Sequence, residues 1–138
     1  MTHRPLLLTI DDEPVIRHAI AGMAARSGFD CIEAASKPDI VRALDRAPDV
    51  ILLDLTMPDM DGHEVMWEMH RRRSRASIIL SSGYLDEVIQ VAELYARKAG
   101  LNYLCRLDKP YPPASLMRLL SAVRERVSRP PETMSCSH

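Results

Sequence analysis

The chain has 138 residues and is expected to fold as one domain of ordinary size. With 46% apolar residues and a net charge of -1, it reads neither as a disordered acidic chain nor as a bulk basic nucleic-acid binder. Before the acids Asp11 and Asp12 there is only a short apolar stretch, too short for a signal peptide or membrane span, so the expected location is cytoplasmic with no membrane contact. Cys31, Cys105 and Cys136 form no even disulfide framework and no CxxC pair; the first two read as small core residues.

In chain order, short apolar strands alternate with amphipathic helices. Leu6 to Ile10 reads as a strand, and Asp12 stands at a helix start with Pro14 near the first helical position. Ile16, Ile20, Met23 and Ala24 share one helical face, which ends near Gly28. A strand over Phe29 to Ala34 and a helix over Pro38 to Ala47 follow, then the most apolar strand, Asp49 to Asp54. Beyond a loop from Pro58 to Gly62, His63 to Arg73 reads as a helix, Ser77 to Ser81 as a strand, and Leu85 to Ala99 as a long helix stopped by Gly100. The pattern ends with a strand at Asn102 to Leu107 and a helix at Pro112 to Val127, striped by Leu116, Leu119, Leu120, Val123 and Val127. Residues 1–127 thus form the expected domain, and 128–138 a flexible tail. Five such units favour an α/β fold, a single doubly wound five-stranded parallel sheet with five helices, and are too few for an eight-stranded barrel.

The run Val50-Ile51-Leu52-Leu53 has the composition of a strand covered on both faces, and it delivers one carboxylate, Asp54, to the sheet edge where ligands of such folds bind. Taken alone, Asp54 reads equally as a turn residue bonding its own backbone. Other polar residues are expected at the same edge: Asp11, Asp12 and Glu13 after the first strand, Ser81, Ser82 and Gly83 after the fourth, and Asp108, Lys109 and Pro110 after the fifth. Each has an ordinary reading as a cap, turn hydroxyl or solvated charge; their gathering at one edge favours a site.

The ordered motifs IDDE, LLDLTMPDMDG, SSGY and DKP resemble the receiver domain of bacterial two-component response regulators over roughly Leu6 to Val127. The resemblance implies the flavodoxin-like strand order 2-1-3-4-5, which brings Asp11, Asp12 and Asp54 to the switch point. Two carboxylates about 4 Å apart repel by roughly 4 kcal/mol at an effective dielectric of about 20, so three in one cleft need a cation. Mg²⁺ suits hard oxygen ligands and bridges to phosphate. The resemblance makes Asp54 the phosphoacceptor, with metal contacts from Asp12, Asp54 and the Thr56 backbone carbonyl and, mostly through water, from Asp11. Lys109 becomes the second positive charge at the phosphoryl group, and Ser82 the hydroxyl that engages it after transfer; Ser81 is the less favoured candidate, and Gly83 leaves room beside Ser82.

The function so implied is a stand-alone response regulator receiver. It takes its phosphoryl group from a histidine kinase or phosphotransfer protein and signals to a downstream protein effector, as a monomer or weak homodimer, with no DNA-binding domain and no enzymatic activity beyond its own phosphorylation and dephosphorylation. The alternative is a phosphorylation-independent interaction module on the same fold. An aspartate-nucleophile phosphatase fits poorly, with Thr56 where its second Asp belongs, and so does a flavin protein, given the acidic first loop.

Several features depart from the family pattern. The stretch from Ser82 to Lys109 is longer than usual, and its helix is expected to bury Val88, Val91, Ala92 and Tyr95. Arg106 occupies the place of a common switching aromatic, and Tyr84 lies where its bulk would slow loss of the phosphoryl group. The basic run Arg71, Arg72, Arg73 and Arg75 complements a helix C-terminus, His63 and His70 have no third metal ligand in view, and the spacing of Trp67 fits either core or surface.

Overall fold

A computed structural model describes residues 4–56, 62–83 and 86–127. Met57, Pro58 to Asp61 of the expected loop, Tyr84, Leu85 at the expected start of the long helix, and the tail 128–138 lie outside the described residues. Strands β1 (Leu6–Ile10), β2 (Asp30–Ala34), β3 (Val50–Asp54), β4 (Ser77–Ser82) and β5 (Asn102–Asp108) alternate with helices α1 (Pro14–Arg26), α2 (Lys37–Leu44), α3 (Gly62–Arg71), α4 (Asp86–Lys98) and α5 (Pro113–Val127). All pairings are parallel and the order is β2-β1-β3-β4-β5, the expected flavodoxin-like arrangement.

Alternation along the inner strands creates two cores. Leu8, Ile10, Ile51, Leu53, Ile78 and Leu80 face the side covered by α2, α3 and α4, while Leu7, Val50, Leu52 and Ile79 face α1 and α5. Every residue of β3 is buried, which is why its sequence lacks the apolar-polar alternation of a half-exposed strand. The apolar faces expected for α1 and α5 point inward: Ile20, Met23, Ala24, Leu116, Leu120 and Val123 are buried.

Three local readings are corrected. On α4 the inward face is Ile89, Ala92 and Ala96, whereas Val88 and Val91 are exposed and Tyr95 is half-buried. Both sets have helical spacing, and packing on β4 and β5 selects the one that places two alanines against the sheet. Helix α1 starts at Pro14, with Glu13 at the cap position, so Asp12 is an exposed loop residue and not a cap. Helix α2 stops at Leu44, three residues before the expected end, and Ala47 then takes a positive φ of 54° while its N–H donates to the Leu44 carbonyl.

Strand β5 contains an irregularity that the sequence reading did not anticipate. Tyr103 lies opposite Ile78 and Cys105 opposite Ile79, so Leu104 is an extra residue in the ladder. Consequently Leu104 and Cys105 pack on the same core while Tyr103 packs on the other. The bulge takes up one residue of the lengthened stretch between Ser82 and Lys109.

Candidate functional site

At the carboxyl edge of the sheet, β1 ends at Ile10 and β3 at Asp54, adjacent strands whose helices leave on opposite faces. Asp11 and Asp54 are both buried, and Asp12 beside them is exposed. One carboxylate oxygen from each of the three can be chosen so that all lie within 4.8 Å of one another.

Each buried carboxylate is fixed by the chain that follows it. The Glu13 amide donates to Asp11 Oδ1 at 3.0 Å. The Thr56 amide and hydroxyl both donate to Asp54 Oδ1, at 3.0 Å and 2.6 Å. Asp54 Oδ2 is buried and accepts no hydrogen bond; its close neighbour is the Lys109 ammonium, 3.2 Å away, which directs its hydrogen bond to Asp11 Oδ2 at 3.1 Å. Lys109 is therefore the cation between the two acids, brought there by the end of β5, where its amide donates to the Ser82 carbonyl.

The electrostatics follow from that geometry. Burial raises the Asp11 pKa from its ordinary value, and the Asp54 charge adds to the rise, against the lowering effects of the Glu13 amide and Lys109. For Lys109 burial acts to lower the pKa, but the Asp11 hydrogen bond and the charges of Asp54 and Asp11 outweigh it, so the ammonium is held above its ordinary value. Three carboxylates against one ammonium leave two negative charges in the cleft. A divalent cation would neutralise that excess. The donor atoms are all hard carboxylate oxygens, with no thiolate or imidazole, which suits Mg²⁺ and not a soft metal. Asp54 Oδ2, buried without a hydrogen bond and facing only the Lys109 ammonium 3.2 Å away, is an acceptor of the kind such an ion would satisfy.

Ser82 is buried at the end of β4, opposite Asp108, and Ser81 is paired in register with Asp54. The Ser81 hydroxyl is buried without a partner among the described residues. A methyl group at Gly83 would sit 3.6 Å from Lys109 Cβ, an ordinary contact, so the room expected at this glycine is present without being sterically required. Three contributors escaped the sequence reading. The Thr56 side chain orients Asp54, Arg17 donates to the Asp11 carbonyl at 2.9 Å, and Tyr111 lines a hollow together with Lys109. The Asp-x-Thr spacing was a readable signal for the first, since a turn aspartate reaches the amide two residues on. Arg17, on α1 six residues beyond Asp11, and Tyr111, two residues after Lys109, left none. Arg106 Nε lies 3.4 Å from Asp108 Oδ1.

This arrangement, a parallel sheet with a carboxylate triad and a lysine at its switch point, defines a class of phosphate-handling α/β domain. Residues 7–121 match the response regulator receiver domain family, and the chain belongs to it. Phosphorylation and Mg²⁺ are general features of that family, which works in two-component signalling. The chain is 32% identical over 125 residues to the phosphate regulon transcriptional regulatory protein PhoB of Pseudomonas aeruginosa, covering 87% of this chain and 52% of that one. It is 34% identical over 120 residues to the transcriptional regulatory protein LiaR of Bacillus subtilis, covering 83% and 55%. The chain thus spans about half the length of these relatives. Among solved structures, a response regulator from Colwellia psychrerythraea superposes with a TM-score of 0.75 at 29% identity, covering 90% of this chain and 99% of that one. The signal receiver domain of a putative Luxo repressor protein from Vibrio parahaemolyticus, at 20% identity, shares the fold with a TM-score of 0.77, covering 99% and 100%. Among the described residues no helix is long and apolar enough to cross a membrane.

Proposed function

We propose that Asp54 is the phosphoacceptor of this receiver and that its donor is the phosphohistidine of a partner kinase or phosphotransfer protein. An Asp54 carboxylate oxygen attacks phosphorus, the phosphorus–nitrogen bond of the donor breaks, and the imidazole leaves with the bonding pair. The observation that carries this reading is the convergence of Asp11, Asp12, Asp54 and Lys109 on one edge, with two surplus negative charges. Thr56 orients the acceptor carboxylate through Oδ1, and Lys109 neutralises charge at Oδ2 and on the incoming phosphoryl oxygens. Asp11, Asp12, Asp54 and the Thr56 carbonyl would hold Mg²⁺, which supplies positive charge to the transferring group. Ser82 is assigned to the phosphoryl oxygens after transfer.

The domain is a substrate and partial catalyst of its own modification, and the signal leaves through protein contacts in the cytoplasm. Phosphoryl acceptance is tested by incubation with a small phosphodonor and Mg²⁺, then peptide mapping. Modification at Asp54 is expected, lost with EDTA; modification elsewhere, or none, would favour the phosphorylation-independent module.

A further inference from the structure

Four of the five large apolar side chains exposed among the described residues, Trp67, Val88, Val91 and Leu94, belong to α3 and α4; the fifth, Val15, is on α1. Between the two helices lies a hollow of about 480 Å³ lined by Trp67, Val91, Leu94, Tyr95 and Lys98, among others. A second hollow, of about 550 Å³, continues past Trp67 and His70 to Arg71 and Arg73. The floor is already braced. The Tyr95 ring meets His63 edge-on at 5.1 Å, Trp67 lies 5.8 Å from His70, and His70 Nδ1 is 3.0 Å from the Ala99 carbonyl, which ties the C-terminal ends of α3 and α4 together.

The charge lining the two hollows is one-sided, although Glu64, Glu68 and Glu87 lie elsewhere on α3 and α4. No carboxylate lines either hollow among the described residues, whereas Lys98, Arg71 and Arg73 all do. Arg71 is paired with Glu68, but Lys98 and Arg73 have no ion-pair partner among the described residues. The accessible feature is the trough between two helical ridges, and a third helix fits such a trough. A second copy docking through this same face would bring two hollows lined by cations and no carboxylate against each other, without charge complementarity.

We propose that the α3–α4 groove is a docking site for an acidic amphipathic helix of another protein. The partner's apolar stripe covers Trp67, Val91 and Leu94, and its carboxylates meet Lys98 and Arg73. An exposed tryptophan beside aliphatic side chains, with cations at the rim, is the composition of an interface centre.

Trp67 is the chain's one tryptophan, so its emission reports directly on the groove. The test titrates the full chain with a synthetic helix carrying leucines at i, i+3, i+4 and i+7 and glutamates on the flanks, and with a counterpart in which lysines replace the glutamates. A saturable blue shift is expected with the glutamate peptide, about fivefold weaker binding for the lysine peptide or for Lys98→Glu, and loss of binding in Leu94→Asp. Leu94 is 53% exposed, so that variant is expected to fold, which circular dichroism checks; should it not fold, Val91→Ser takes its place with the same expected loss. The proposal is overturned by the absence of a shift, by equal binding of the two peptides, or by binding that survives both apolar substitutions. A shift that follows protein concentration alone, with a dimer in sedimentation, would overturn it in favour of a second copy.

Discussion

Asp54 is held by its own turn, with both hydrogen bonds on Oδ1 coming from Thr56 and Oδ2 left facing Lys109. The two contacts separate orientation from charge. Thr56→Val keeps the amide donor and loses the hydroxyl, at a cost of about 1 kcal/mol in positioning; the rate of Asp54 phosphorylation by a small donor is expected to fall about fivefold, and Thr56→Ser to restore it. Lys109→Met removes the ammonium from between two buried acids. The variant is expected to bind Mg²⁺ more tightly, by about tenfold in calorimetric titration, because the cation then compensates more charge, while phosphoryl transfer is largely lost. Tighter metal with intact transfer would assign Lys109 a purely structural role.

At the scale of elements, the strands and the site edge were legible because a doubly covered parallel sheet writes itself as continuous apolar runs followed by polar turns, as in Val50 to Thr56. The α4 face was not, because Val88-Val91 and Ile89-Ala92 satisfy the same period, and only contact with β4 and β5 chooses between them. Nor was the end of α2, where Ala47 occupies a left-handed position that ordinarily attracts glycine. Ala47→Gly relieves that conformation, worth roughly 1–2 kcal/mol, against an entropic cost of about 0.5–1 kcal/mol. A net gain of at most about 1.5 kcal/mol is expected in urea unfolding. The bulge at Leu104 left no glycine or proline in the sequence to announce it, since the ladder there is reset by packing of Tyr103 and Cys105 on opposite faces.

Across the whole molecule, two cores on a shared sheet mean that groups on either face titrate as part of one folding unit. Burial is the leading cause of raised pKa values at Cys31, Cys105, Tyr103 and Tyr111, with Cys31 pushed up from 9.0 to about 12. A group raised in the folded state contributes stability that is complete below its unfolded pKa and lost as pH rises through its folded one. For Cys31 that window runs from pH 9.0 to about 12. The urea midpoint is expected to fall across it, and less steeply in Cys31→Ala.

The same scale holds the central claim, that one sheet edge assembled from four βα units is a metal-assisted phosphoryl acceptor. Intact-mass measurement after incubation with a small phosphodonor and Mg²⁺ tests it most directly, comparing the natural chain with Asp54→Asn, which retains the shape of the site. A single phosphoryl adduct on the natural chain, absent from Asp54→Asn and absent without Mg²⁺, is the expected result. An adduct of equal yield on Asp54→Asn, or none on either protein, would contradict the account.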